Sequence, residues 1–146
     1  MLPGLLEGGR LELDGHELQV IAIGQGDTEH SSIVYAPSID AVVAGDVVYN
    51  QVHMMTAETD ATSREAWIAS LDAIAALSPA TVVSGHKRVG APDSPETIEQ
   101  SQQYLRDFSR IVDEQETGRP CAGRGGKSEN VSRATSYLHS LHLTAR

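Results

Sequence analysis

The sequence predicts an α/β fold, with one mixed β-sheet flanked by helices. Four short apolar segments separated by turn residues lie within residues 10–44, a pattern typical of strands. Two longer segments within residues 62–112 carry apolar residues at helical spacing, with a fifth short apolar segment between them. Hydrophobic residues make up 40% of the chain and aromatic residues only 4%, so the core is expected to be aliphatic.

The first two predicted strands, residues 10–13 and 18–23, flank a turn at Asp14-Gly15-His16. Residues 18–23 are apolar on both faces, which favours a buried strand, and the loop residues 24–27 end it. The third and fourth strands cover residues 32–35 and 41–44, and the fourth ends at Gly45-Asp46. Residues 81–83 form the fifth strand, which ends in the loop Ser84-Gly85-His86.

The two helices are predicted from their caps and apolar stripes. Thr62 or Ser63 can cap the first helix, and Pro79 ends it. Ser94-Pro95 opens the second helix, because proline is favoured in the first helical turn. The expected core stripe of the second helix consists of Ile98, Tyr104, Leu105, Phe108, Ile111 and Val112.

Charge divides the chain into two regions. The net charge is −9, which argues against a nucleic-acid or anionic-membrane partner. Residues 1–116 hold 6 Lys/Arg and 19 Asp/Glu, a net −13, whereas residues 117–146 hold 5 and 1, a net +4. We expect a folded domain over residues 1–116 and a basic, disordered tail over residues 117–146. The single Cys121 excludes an internal disulfide, and no apolar run is long enough for a membrane span, so a soluble cytoplasmic protein is expected.

Polar residues follow three of the predicted strands. Asp46 and His86 each come directly after a glycine at a strand end, and Gln25 and His30 lie in the loop after the second strand. Strand ends converge on one rim in layered α/β folds, and a carboxylate with an imidazole suits zinc or iron. However, an Asp after a strand is more often a turn former, and a His after Gly is more often a surface residue. Spacing alone therefore favours the structural explanation.

Three motifs in order resemble the second half of the metallo-β-lactamase superfamily. They are the segments at residues 24–28, 42–50 and 82–88, which read GQGDT, VVAGDVVYN and VVSGHKR. The resemblance implies half of an αββα sandwich and a metal-dependent hydrolase. It implies that Asp46 is the catalytic carboxylate that bridges the metals and that His86 is the last histidine ligand.

Two departures from the family pattern limit this assignment. The His-x-His-x-Asp-His loop that supplies most ligands in the family is absent before Gly24, and Gln25 stands where a third histidine ligand is expected. Glutamine is a neutral, weaker ligand, and His30 is a possible substitute. We therefore expect zinc, or another divalent metal such as iron or manganese, to be weakly bound or absent. Enzymatic activity stays open, and the alternative is a non-catalytic interaction module or oligomerising half-domain.

Several other residues are weaker candidates for a functional site. His53 could line the pocket, although packing beside Met54 and Met55 is the commoner explanation. Lys87, with Arg88, could receive an anionic substrate group, although a solvated loop is the commoner explanation. Cys121 has no nearby base. His139 and His142 have helical metal spacing that is better explained by chance.

Half of a sandwich fold would leave one apolar sheet face uncovered. We therefore expect a homo-oligomer or docking onto a complementary N-terminal half, and a small-molecule substrate if the chain is active. The missing upstream motif and the basic tail together suggest a truncated or rearranged gene product.

Overall fold

The computed structural model describes residues 6–117, and the predicted tail, with Cys121, His139 and His142, lies outside them. The described part holds one mixed sheet and two helices, as predicted. The strands are β1 (Arg10–Leu13), β2 (His16–Gly24), β3 (Ser31–Ala36), β4 (Ala41–Asn50) and β5 (Thr81–Lys87). The helices are α1 (Ala61–Ala76) and α2 (Glu96–Thr117), and short 3₁₀ turns lie at Glu7–Gly9 and Pro37–Ile39.

The strands lie in the sheet in chain order, from β1 to β5. Neighbours from β1 to β4 are antiparallel, whereas β5 is parallel to β4 and is reached through α1. A parallel neighbour needs such a crossover, because the chain must return to the other end of the sheet before it begins the next strand. It follows that β2, β4 and β5 run in the same direction, so their C-terminal ends lie at the same end of the sheet.

Both helices pack on one face of the sheet, where the core lies. The largest fully buried side chains of the helices are Trp67, Leu71, Ile74, Leu105 and Phe108, and they meet Ile33, Val42 and Val82 of the sheet. Trp67 also donates a hydrogen bond from Nε1 to the carbonyl oxygen of Val47 at 2.8 Å. The predicted stripe of α2 is confirmed, since all six of its residues belong to or pack against this core.

The start of α1 differs from the prediction. Its N-cap is Asp60 rather than Thr62 or Ser63. The Asp60 carboxylate accepts a hydrogen bond from the Ser63 backbone N–H at 2.8 Å, and the Ser63 hydroxyl accepts one from the Asp60 N–H at 2.8 Å. This reciprocal capping box satisfies two backbone donors at the helix start. Ser63 therefore takes part in the capping box as residue N3, three residues after the N-cap.

The ends of β4 and β5 were also predicted wrongly. β4 does not stop at Gly45-Asp46 but continues to Asn50, and β5 does not stop at Val83 but continues to Lys87. The reason is a register shift: Gly45 is opposite Ser84, whereas Tyr49 is opposite His86. Between these two pairs, β4 has three residues, 46–48, whereas β5 has only Gly85. The extra residues of β4 form a bulge that contains Asp46.

The face opposite the helices is not covered by any described residue. In register, Val20 lies opposite Val34, Val34 opposite Val43, and Val43 opposite Val83, so one row of valines crosses four strands. Val43 is 50% exposed. The expectation that residues 18–23 are buried on both faces is therefore wrong within the described chain. We call this surface the open face.

The open face carries Leu11, Leu13, His16, Leu18, Val20, Ala22, Ser32, Val34, Ala36, Ala41, Val43, Thr81 and Val83, and alternation along β5 places Lys87 on the same side. Among the described residues, neither helix is long and apolar enough to cross a membrane.

Candidate metal centre

Asp46 and His86 lie side by side near the C-terminal ends of β4 and β5. His86 Nε2 is 3.1 Å from Asp46 Oδ1, and about half of each side chain is exposed to solvent. Because both side chains are half exposed, the pair is accessible to a ligand. An exposed ion pair contributes little to stability, so a structural role alone explains the pair poorly.

Two glycines allow this approach. Gly45 has φ of +54°, a left-handed conformation that turns the chain into the bulge carrying Asp46. At Gly85, an added Cβ would lie 2.4 Å from Asp46 Oδ1 and 2.6 Å from the carbonyl carbon of Gly45. Only a residue without a side chain leaves room for the carboxylate there. Gly85 also points to the same side of β5 as Val83, so the carboxylate of Asp46 borders the open face.

Tyr49 connects the pair to the core and to the loop after β2. Its ring stacks on His86, with 5.0 Å between ring centroids and 22° between planes, and meets Trp67 edge-on at 6.1 Å. Its hydroxyl donates a hydrogen bond to Asp27 Oδ2 at 3.2 Å. Burial, and then the neighbouring Asp27 carboxylate, raise the pKa of Tyr49 well above its usual value. The phenol thus stays a neutral donor that restrains the ring of His86.

The contacts of Asp27 and Tyr49 were not predicted from the sequence. Both residues lie within the family motifs, but neither was given a role there. A signal was present in the spacing, because Tyr49 is three residues after Asp46. It could be interpreted only once the bulge placed Tyr49 opposite His86.

The remaining candidates in the loops of the chain make other contacts. Gln25 is half-buried, and its Nε2 donates to the carbonyl oxygen of Gly26 at 3.1 Å. His30 is exposed and adopts φ of +61°, so it serves as a turn residue. His53 Nδ1 lies 3.2 Å from the hydroxyl of Tyr104, which places it against α2. His53 is exposed, and its role in lining a pocket stays a prediction.

Lys87, the candidate for substrate binding, is engaged in an ion pair. Its Nζ lies 2.6 Å from Asp93 Oδ1, in the segment before α2. An anionic substrate group would compete with this carboxylate. The expected role of Lys87 stays a prediction, and the observed contact explains the residue without it.

The geometry of Asp46 and His86 fits one part of a zinc site. With zinc–ligand distances of about 2.0–2.1 Å, two ligands of a tetrahedral ion lie about 3.3 Å apart, close to the observed 3.1 Å. The number of donors does not fit. Within residues 6–117, no group of three or more His, Cys, Asp or Glu side chains is arranged to hold a metal. The pair alone could supply only two donors, and the described residues place no third side chain of these types beside it.

Comparison with known proteins decides the family. The profile of the metallo-beta-lactamase superfamily matches residues 2–86, more than half of the chain, and its last matched residue is His86. The chain belongs to the metallo-beta-lactamase superfamily. A comparison with curated proteins finds no match.

Solved structures of the superfamily share the fold of the chain. A metallo-beta-lactamase from Pontibacter korlensis is 18% identical, with a TM-score of 0.55 over 67% of this chain and 45% of that one. A metallo-beta-lactamase family protein from Thermus thermophilus is 20% identical, with a TM-score of 0.56 over 75% of this chain and 37% of that one. The metallo-beta-lactamase IND-7 is 18% identical, with a TM-score of 0.56 over 70% and 46%. The chain spans less than half the length of each of these proteins.

Proposed function

We propose that this chain is the C-terminal half of a metallo-β-lactamase-fold, metal-dependent hydrolase of small molecules. In this proposal Asp46 and His86 are ligands of a divalent metal, with zinc favoured over iron or manganese. The observation that carries the proposal is the 3.1 Å separation of a carboxylate oxygen and an imidazole nitrogen at the edge of the sheet. Membership in the superfamily, matched up to His86, supports the same assignment.

When bound, a metal of this kind supplies an acidified water for hydrolysis. The residues of this chain have simpler tasks. Asp46 provides an anionic oxygen that Gly85 leaves room for, and His86 provides a nitrogen on a ring that Tyr49 holds in place. A catalytic zinc site needs at least three protein ligands and an open position, and the described part of the chain offers two. We therefore expect weak metal binding and little or no turnover from the isolated chain.

Metal binding by protein purified without a polyhistidine tag tests the assignment. Zinc is titrated into the wild type, Asp46→Ala and His86→Ala, with binding followed by calorimetry. We expect each substitution to weaken binding by at least ~10-fold, because it removes one of two donors. His16→Ala is the matched control, since His16 is an exposed histidine at the start of β2, at the opposite edge of the sheet. Unchanged zinc binding in both site variants rejects the proposal.

A non-catalytic interaction module was the alternative expected from the sequence, and superfamily membership does not favour it. Hydrolysis of a generic ester or a β-lactam distinguishes the two functions. Even weak turnover that is lost on addition of a chelator and in Asp46→Ala supports the hydrolase, whereas the absence of both zinc binding and turnover supports the interaction module.

A further inference from the structure

The imidazole of His86 is restrained by a neighbouring ring rather than by burial. About half of its side chain is exposed, and exposed side chains change rotamer rapidly unless a contact prevents it. Tyr49 lies opposite His86 in the pairing of β4 and β5, and the two rings are stacked with 5.0 Å between their centroids. Tyr49 itself is only 3% exposed. The position of the buried ring therefore sets the position of the exposed one.

A buried serine of α2 holds the backbone of Tyr49. The Ser101 hydroxyl accepts a hydrogen bond from the Tyr49 N–H at 3.2 Å and lies 3.0 Å from the Tyr49 carbonyl oxygen, to which it can donate. The same hydroxyl lies 2.8 Å from the carbonyl oxygen of Thr97, one helical turn earlier. Ser101 is 2% exposed, so solvent does not compete for these contacts. Ser101 thus ties the end of the β4 bulge to α2, outside the segment matched by the superfamily profile.

Asp27 holds the opposite end of Tyr49. This residue is half-buried in the loop after β2, and its Oδ2 accepts a hydrogen bond from the Tyr49 hydroxyl at 3.2 Å. Hydrogen bonds to a carboxylate are stronger than those between neutral groups. The residue that stacks on His86 is therefore fixed at its backbone by α2 and at its hydroxyl by the loop after β2.

We propose that Ser101 and Asp27 are positioning residues for His86, and that both act through Tyr49. The inference rests on the proposed function in taking His86 as a metal ligand. Restraint of Tyr49 keeps the imidazole beside Asp46 before any metal binds, and such preorganisation strengthens binding because the ligands are already ordered. Residues that orient a metal ligand without touching the ion typically change metal affinity by about 10–100-fold.

NMR of the full chain in the presence of a chelator measures the position of the His86 ring without any metal. Stacking on Tyr49 should shift the ring protons of His86 upfield from those of a free imidazole. Ser101→Ala and Asp27→Ala should each lose at least half of this shift. Asp27 lies in a loop, so its variant keeps the test available if Ser101→Ala does not fold. Asp27→Asn retains an oxygen that can accept the hydrogen bond and should restore most of the shift.

Ser70→Ala is the matched control for Ser101→Ala. Ser70 is 4% exposed on α1, and its hydroxyl donates to the carbonyl oxygens of Ile23 in β2 and of Ala66 one turn earlier, an arrangement like that of Ser101. The His86 proton shifts should stay unchanged in this variant. In a zinc titration, Ser101→Ala should bind about 10-fold more weakly than Ser70→Ala.

A double variant tests the route through Tyr49. Tyr49→Phe keeps the stacked ring and removes the hydroxyl, so Asp27→Ala in that background should cause no further change in the His86 shift or in zinc affinity. A further loss would overturn the proposal, because Asp27 would then act on the site directly.

Three other results would also overturn the positioning role. One is a wild type without the upfield shift, and another is a shift that survives in both Ser101→Ala and Asp27→Ala. The third is a zinc affinity that falls in His86→Ala but falls no further in these two variants than in Ser70→Ala. If His86→Ala binds zinc as tightly as the wild type, the proposed function fails, and the proton shifts alone then decide whether Ser101 and Asp27 hold the His86 ring.

Discussion

Replacement of Gly85 by alanine tests the close approach of β4 and β5 that creates the candidate site. The added Cβ would lie 2.4 Å from Asp46 Oδ1, 2.6 Å from the carbonyl carbon of Gly45 and 2.7 Å from its oxygen. Ordinary carbon contacts need about 3.5 Å or more. Rotation of Asp46 can relieve the first overlap, but the other two involve backbone. The strands must therefore separate by about 1 Å.

Overpacking that moves backbone costs about 1–3 kcal/mol, and we expect about 2 kcal/mol for Gly85→Ala. Urea denaturation followed by circular dichroism measures this loss. Gly26→Ala is the comparison, because the nearest atom to its added Cβ is Ser31 Oγ at 2.7 Å, the end of a side chain. Its cost should be smaller, at about 1 kcal/mol. Wild-type stability in Gly85→Ala would refute the close approach of the two strands at Asp46.

Two further predictions concern α1. Trp67→Phe removes the donor to the buried carbonyl of Val47 and leaves a small cavity, so the free energy of unfolding should fall by about 2 kcal/mol in the same urea assay. Asp60→Ala removes the N-cap, and the Tm should fall at neutral pH. Hydrogen bonds from Ser63 lower the pKa of Asp60, so its contribution is present above the unfolded pKa of about 3.9 and is lost as pH falls through the lower folded value. The Tm difference between Asp60→Ala and wild type should therefore close in acid; a constant difference across that range would contradict the capping role.

Much of the fold could be predicted from local patterns. Alternation and turn residues predicted all five strands, and helical spacing predicted the buried stripe of α2. These features depend on neighbours in sequence. The N-cap of α1 was displaced by two or three residues, because Asp60, Thr62 and Ser63 are all good capping residues and only the backbone conformation selects among them.

The candidate site was only partly predictable. The proximity of Asp46 and His86 followed from the family motifs, and the structure places them together. The bulge after Gly45 could not be read from the sequence, because register depends on pairing with a distant strand. For the same reason the contacts of Tyr49 with His86 and Asp27 were missed.

Anomalous diffraction at the zinc edge, from crystals of the chain soaked in zinc, tests the central claim most directly. We expect one peak within about 2.2 Å of both Asp46 Oδ1 and His86 Nε2, with water completing the coordination. The same peak should be absent from crystals of His86→Ala. A peak that is missing from the wild type, or that lies against other side chains, would contradict the assignment of this pair as metal ligands.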